Sequence, residues 1–456
     1  MVLHKRILKF IPITTISSII ISNSSYSSSS TSSCNNDKKK TILGFGFSGI
    51  DYIATVSKYP DPDEKIRTLS LTLTGGGNCG NTMSTVGILG SSLFDNNNNN
   101  IRSKIITKIA DDSNGHFVKK GNQLLILLYH HHYNDYHYKG LEENHIDISD
   151  IVISPSPSQT GFVYVIVDNE TKTRTCLATL PNAEITDEEI NSRIKADVLN
   201  NVSLIHFDSR HTEAAVKLAS LASSLSIPIS IDLEKDRPPF LRKLFPYCNL
   251  VFTNEHAVQK LFGNVGSKHS GIVKAIGKNN DSDSIIKEDE LLRRASLMAY
   301  LFSNDNIIDS KVHTVISTLG STGSILIRKK NVSNNINSLL PSESNDHSIS
   351  DLQKQLTNCS IKIKHYEYYP DNSSDIYEIL TCSCIQLNPD EVVDTTGAGD
   401  SYIGGFLVGY VTGLSLDECM KIGTLVATSV IMKEGARLGI ISGQQLRSYL
   451  QKYSNT

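Results

Sequence analysis

Between residues 202 and 320, strand-like and helix-like runs take turns, and this rhythm constrains the fold more than any other feature. "VSLIHFD" (202–208) is followed by the helical "TEAAVKLASLASSL", "PISIDL" by "PPFLRKLF", and "NLVFTN" (249–254) by "EHAVQKLFG" before "HTVISTLG" (313–320). Parallel strands need a helical crossover between them, and helices packed on a sheet cover its faces. The alternation predicts βαβ units: an α/β fold with a central, mostly parallel sheet and helices on its faces.

Upstream, "TILGFGFSGIDYIATV" (41–56) reads as an apolar strand entering a Gly-rich turn, and "KIRTLSLTL" (65–73) alternates like a two-sided strand. "NTMSTVGILGSSL" has helical spacing, "SKIITKIADDSNG" supplies a strand and turn, and "HFVKKGNQLLILL" reads as a helix. "GFVYVIVDNETKTRTCLAT" (161–179) reads as a hairpin. The β segments at about 50–75 and 155–180 do not alternate with helices, so a small separate sheet is expected. Low-complexity insertions are expected near 92–100, 129–140, 263–290 and 330–375, since loop-tip insertions cost little closure entropy. His130–His132 lie in such a stretch, without a rigid element to fix metal geometry. Tyr129, Tyr133, Tyr136 and Tyr138 lack the basic patch that base stacking needs, so they read as loop filler.

Residues 1–40 stand apart. Up to residue 36 they hold no Asp or Glu, and "MVLHKRILKFIPITTISSIIIS" runs into a Ser-rich tract: a targeting presequence or a disordered tail. As a transit peptide it would send the chain to a mitochondrion or plastid; otherwise the expectation is cytoplasmic. Lys9 and Pro12 interrupt the apolar run, which is too short to span a bilayer. A net charge of −3 from 44 basic and 47 acidic residues gives no general pull toward nucleic acid or anionic membranes. Eight scattered cysteines form neither a disulfide framework nor a zinc site.

The chemistry concentrates in "VVDTTGAGDSYIGGFLVGYVTG" (392–413). A helix N-terminus exposes unpaired N–H groups and partial positive charge, and glycines let an anion approach that backbone. Gly397-Ala398-Gly399 before an apolar helix thus reads as an anion cradle, and Asp400 in the first turn as a base for a hydroxyl attacking a bound phosphoryl group. Alone, the string is equally a tight turn followed by a favourable first-turn acid.

It does not stand alone. "DTTGAGDSYIGGFL", "GGGNCGNTMSTVGILG" (75–90), "GFGFSGIDYIATV" and "STLGSTGSILI" (317–327) occur in the order found in the ribokinase-like (PfkB) carbohydrate kinases, which the chain resembles from about 41 to 445. The mid-chain "DSRHTEAAVKLASL…IPISIDLEKDRPPFLRKLF…NLVFTN" is similar to ketohexokinase and to plant kinases of this type. The resemblance implies a three-layer αβα sandwich over 41–450 with a small β-sheet lid, and ATP-dependent phosphorylation of a sugar hydroxyl of the ketohexokinase or fructokinase kind. Ribokinase or nucleoside kinase activity, or a non-catalytic regulatory role, are the alternatives.

The resemblance also implies roles. Asp400 is the base, with the amides of Gly397, Ala398 and Gly399 as the anion hole. Asp51, Gly76, Gly77, Asn78 and Asn81 line the sugar pocket; Asn254, Thr318, Gly320 and Gly323 border ATP and its Mg²⁺. Asp394 and Thr396 match a monovalent-cation (K⁺) site of several members. The lid also pairs two subunits in many relatives, which implies a homodimer. Where many relatives have Asn-x-x-Glu, this chain has Asn254-Glu255-His256-Ala257. Either Glu255 replaces the absent acid, or water and phosphates hold the magnesium and Glu255 is a solvated first-turn acid. "LEKDRP" (Leu233–Pro238) reads as a charged strand end, a substrate contact being the less expected alternative.

Overall fold

The alternation predicted from residue 202 onward is present in a computed structural model of the chain, except that the helix expected over "EHAVQKLFG" lies largely outside the described residues. The structure describes residues 40–454 apart from 95–99, 122–138, 156, 172, 182–183, 194–197, 238, 258–259, 261–270, 277–284, 303–310, 331–346 and 372. The stretch before residue 40, the His130–His132 run and the four tyrosines from Tyr129 to Tyr138 lie outside the described residues.

The large sheet has eleven strands among the described residues. From one edge, β6 (Ile146–Asp147), β4 (Arg102–Ile106), β1 (Thr41–Phe45), β10 (Val202–Phe207), β11 (Ile229–Leu233), β12 (Leu250–Asn254) and β14 (Thr314–Thr318) are parallel. β15 (Ser324–Lys329), β17 (Tyr377–Cys382), β16 (Ile363–Pro370) and β13 (Gly271–Ile276) continue it antiparallel.

Alternate side chains of each strand enter two separate cores, which makes the molecule three-layered. Ile42, Leu204, Leu250, Phe252, Ile316 and Leu380 face one core with α1 (Asn78–Gly90), α8 (Ala398–Thr412), α9 (Leu416–Ile431) and α10 (Gly443–Lys452). Leu43, Phe45, Ile205, Val251, Val315 and Ile379 face the other with α4 (Thr212–Ser224), α5 (Leu241–Leu244) and α6 (Glu288–Ala299). Small residues bring α8 close to its neighbours. A Cβ at Gly404 would stand 2.6 Å from Thr85 of α1, and one at Gly405 3.2 Å from Gly423 of α9. No described helix is long and apolar enough to cross a membrane.

The small sheet has the order β3 (Thr68–Gly76), β2 (Gly49–Val56), β8 (Phe162–Asp168), β9 (Arg174–Thr179). Period-two alternation splits it into unlike faces. Asp51, Val163, Val165, Arg174, Cys176 and Ala178 face a cavity, whereas Leu71, Tyr164 and Leu177 on the other face are exposed. A further parallel pair, β5 (Lys108–Ala110) and β7 (Val152–Ser154), lies beside the two sheets in sequence.

Three sequence expectations are corrected. α2 spans Ser113–Lys120, beginning inside the expected turn because the Asp112 carboxylate accepts from Gly115 N–H at 2.7 Å and caps it; Gly121, at φ 65°, ends it. The expected insertion at 330–375 contains α7 (His347–Thr357), with Leu352 and Leu356 fully buried, and β16 of the large sheet. The expected insertion at 263–290 contains β13, the antiparallel edge strand paired with β16. Both were obscured by Asn- and Ser-rich flanks. Of the remaining helices, α3 covers Asp187–Arg193.

Candidate active site

Parallel α/β sheets place ligands at the carboxyl ends of their strands, and here a cavity of about 430 Å³ opens there beneath the small sheet. The ends of β10, β11, β12 and β14, the N-termini of α1 and α8, and the inner face of β2, β8 and β9 enclose it.

Asp400 lies in the first turn of α8 and borders the cavity. The helix has no side-chain cap; Ala398 N–H donates to Thr395 O at 3.4 Å, and the amides that follow it in the first turn stay available. Gly397 takes φ 74°, the left-handed region that favours glycine; a Cβ there would also stand 2.5 Å from that of Ala436. A Cβ at Gly399 would meet nothing within 4 Å, so this face of the helix end is open. Burial pushes the Asp400 carboxyl up to about 7. A hydrogen bond from Asn81 Nδ2, at 2.8 Å, opposes the shift, and the charges of Glu234, Asp208 and Asp51 add to it. A carboxyl titrating near neutrality is suited to accept a proton.

The glycine cluster before α1 has a steric reason visible only in three dimensions. A Cβ on Gly76 would collide with the Asp51 carboxylate, and a Cβ on Gly75 or Gly80 with the guanidinium of Arg437. Gly77, at φ 87°, is the N-cap of α1 and would bring a Cβ within 2.7 Å of Phe47 O. The cluster thus admits two buried charges. Burial pushes Asp51 up to about 6, with Arg437 opposing.

Arg437 was missed by sequence reasoning. Its Nε donates to Asn81 Oδ1 at 2.9 Å and its Nη2 to Gly76 O at 2.8 Å, with Ser48 Oγ at 3.4 Å. With Oδ1 held by a cation, the Asn81 amide group must turn to Asp400, completing an Arg437–Asn81–Asp400 chain. Nothing in "MKEGARLG" marks this arginine, because its partners lie some 360 residues away in sequence.

The other expected residues divide. Asn78 lines the cavity and donates to Asp232 Oδ2 at 3.2 Å. Asn254 and Thr318 line it at the ends of β12 and β14. Gly320 and Gly323 lie in the turn after β14, outside the cavity wall; Gly76 and Ala398 stand behind it. Thr396 lines the cavity, whereas Asp394 is turned inward. Asp394 Oδ1 accepts from Thr396 N–H at 2.9 Å and its hydroxyl at 2.7 Å, Oδ2 accepts from Gly435 N–H at 2.9 Å, and Arg174 of β9 stands 3.6 Å away.

Two departures concern charge. Glu255 does not reach the cavity: it pairs with Arg294 at 2.6 Å, and Ala257 is buried. Asn254 Oδ1 is occupied in capping, accepting from His256 N–H at 3.1 Å and Ala257 N–H at 2.8 Å. The "LEKDRP" stretch, read as a solvated strand end, instead contributes Glu234, Lys235 and Arg237 to the cavity wall. Asp232 is held well above the usual carboxylate range by burial, then by the charges of Asp400 and Glu234. Asp232 and Glu234 are hard oxygen donors in the cavity, a set that suits Mg²⁺ and the phosphates it accompanies.

Comparison with known proteins agrees with this architecture. Residues 131–289 and 373–442, together half of the chain, match the model of the pfkB family carbohydrate kinases. An uncharacterised sugar kinase of Archaeoglobus fulgidus is 52% identical over 50 residues, which are 11% of this chain and 20% of that protein. The match to this curated relative thus spans about a fifth of its length. Among solved structures, an Arabidopsis thaliana ribokinase complexed with ribose and ATP superposes over 91% of this chain and 99% of its own, with TM-score 0.56 and 14% identity. A Methanocaldococcus jannaschii nucleoside kinase does so over 91% and 99%, with TM-score 0.55 and 19% identity.

Proposed function

This chain belongs to the pfkB family of carbohydrate kinases, and from that premise we propose that it transfers the γ-phosphoryl group of ATP to a hydroxyl of a small sugar by direct in-line displacement. The observation that carries the reading is Asp400: a buried carboxyl pushed up to about 7, beside an uncapped helix N-terminus and within the same cavity as Asp51, Asn78, Asn254 and Thr318.

Each group then has a task. Asp51 and Asn78 receive and orient the sugar hydroxyls, and Asp400 takes the proton of the attacking one. The amides of Gly397, Ala398 and Gly399 stabilise charge on the moving phosphoryl group. Asn254 and Thr318 border the nucleotide. Mg²⁺ would be held by Asp232 or Glu234 with the phosphates, and supplies charge neutralisation there. The small sheet excludes water that would otherwise accept the phosphoryl group.

Potassium fits less well at Asp394. Its oxygens already accept three hydrogen bonds and the Arg174 guanidinium stands beside it, so the positive charge a cation would bring is supplied by the lid. The exposed apolar face of Leu71, Tyr164 and Leu177 supports a homodimer formed through the small sheet. The relatives are named for different acceptors, so the mid-chain likeness to ketohexokinase does not select one.

The test is ADP release from Mg-ATP by a purified protein lacking residues 1–40, across a panel of ketoses, aldoses, ribose and nucleosides. Turnover with at least one acceptor, abolished by Asp400→Asn with ATP binding retained, is expected. Absence of turnover with every acceptor would overturn the kinase reading in favour of a regulatory one.

A further inference from the structure

The cavity carries a second concentration of positive charge, away from the helix end at Gly397–Gly399. Arg210 follows β10, Arg237 follows β11, and both line the wall together with Lys235. Among the described residues neither guanidinium makes a hydrogen bond or has a carboxylate within the 4.0 Å of an ion pair, and Arg237 Nε is buried without a partner. Of the nearby acids, Asp208, Asp232 and Glu184 are engaged elsewhere, and Glu234 attracts Arg237 only from beyond ion-pair distance. Asp208 accepts from the amides of Phe47, Cys79 and Arg210, Asp232 from Asn78, and Glu184 pairs with His211. The two arginines act on each other. Burial, then the Arg210 charge, draws Arg237 below the usual guanidinium range.

Two like charges left side by side, half-buried and unpaired, are unfavourable until an anion stands between them. Guanidinium forks match the paired oxygens of phosphate and carboxylate, and a planar fork loses little freedom in binding them. The opposite wall is poor in such help: where a metal-positioning acid was expected there is buried Ala257, and Glu255 is held by Arg294.

We propose that Arg210 and Arg237, assisted by Lys235, form a second oxyanion subsite of this cavity, separate from the amides of Gly397–Gly399, which takes a phosphate or carboxylate group. The subsite rests on the reading of the cavity as a kinase site. In sheet order it stands between Asp51, beyond β1, and Asn254 and Thr318 on β12 and β14. The oxyanion therefore comes either from the polyphosphate of the nucleotide or from an acidic substituent on the acceptor.

The experiment separates these sources and does not depend on turnover. Calorimetric titration with inorganic pyrophosphate, and with Mg-ATP, compares the unaltered protein with Arg210→Ala/Arg237→Ala and with Arg210→Lys/Arg237→Lys. Pyrophosphate affinity falls tenfold or more in the alanine pair, less in the lysine pair, and weakens with added salt. KM is then measured for Mg-ATP, for a neutral sugar, and for its carboxylate and phosphate derivatives. A tenfold rise confined to ATP identifies the donor polyphosphate; a rise confined to the acidic acceptors identifies their substituent. Unchanged pyrophosphate affinity in a folded alanine pair, with every KM unmoved, overturns the subsite. If that pair fails to fold, single Arg210→Gln and Arg237→Gln variants carry the same comparison. Loss of pyrophosphate binding in the variants, in a protein that turns over no acceptor, would sink the kinase reading and leave the subsite standing.

Discussion

Replacing Asp400 by asparagine should make the protein inactive and, above neutral pH, more stable. The carboxyl is pushed from its ordinary 3.8 to about 7, chiefly by burial. In the unfolded chain it returns to the ordinary value, so between these limits the folded state binds more protons than the unfolded one. Stability therefore falls as pH rises through that window, and the loss is complete above about pH 7. Roughly three pKa units at about 1.4 kcal/mol each set an upper bound of about 4 kcal/mol, and relaxation around a buried group makes about 2 kcal/mol the working figure. Asparagine fits the site: its Oδ1 accepts from Asn81 Nδ2 as the carboxylate does, and it carries no charge to bury. Urea denaturation at pH 8 should show Asp400→Asn more stable than the unaltered protein by that amount, and the difference should vanish near pH 4. ADP release by the variant should be lost across the whole range. Equal or lower stability at pH 8 in a fully folded variant would refute the reasoning, because Asp400 would then carry its charge without cost.

Three further outcomes follow from the geometry. Arg437→Met removes a cation that favours ionisation of both Asp51 and Asp400 and frees Asn81 to turn, so the acid limb of the kcat–pH profile should move upward, with kcat at pH 7 down by about tenfold to a hundredfold; Arg437→Lys should recover part of the shift, and a superimposable profile in a folded Met variant would count against a positioning role. Turnover should be the same in potassium, sodium and tetramethylammonium chloride, whereas Arg174→Ala should make it rise with potassium; dependence on potassium in the unaltered protein would show that Arg174 does not supply the charge at Asp394. Leu71→Asp, on a side chain 62% exposed, should convert a dimer to a monomer in sedimentation without lowering the melting temperature, and an unchanged mass would remove the small sheet from the interface.

What the sequence disclosed and what it hid divide along one physical line. Features that depend on neighbours in the chain were legible: the alternation that makes the parallel sheet, the period-two faces of the small sheet, and the glycines and aspartate at the start of α8. Features that depend on distant contacts were not. β13 and β16 pair with each other at the sheet edge across about 90 residues, and the Asn- and Ser-rich composition of their own flanks suggests filler. "GGGNCG" reads locally as a flexible turn, yet Gly75, Gly76 and Gly80 are required by the space that Asp51 and Arg437 occupy.

Arg437 shows why such residues escape. A buried guanidinium is costly unless its donors are met; here Asn81, Gly76 and Ser48 meet those of Nε and Nη2, from elements that precede it by more than 350 residues, and Nη1 alone is without a partner among the described residues. No local pattern can encode that. The same reasoning works in reverse for Arg210 and Arg237: each sits where a strand end enters the cavity, and among the described residues neither guanidinium has a hydrogen-bond or ion-pair partner. A buried arginine whose Nε and Nη2 are bonded to its own neighbours has its function inside the protein, as Arg437 does in orienting Asn81 toward Asp400. Arginines left unbonded on a cavity wall have theirs in what enters the cavity. The contrast predicts opposite consequences of charge removal: in Arg437 variants the pH profile of turnover moves, whereas in Arg210 and Arg237 variants the affinity for an oxyanion falls while the profile stays in place.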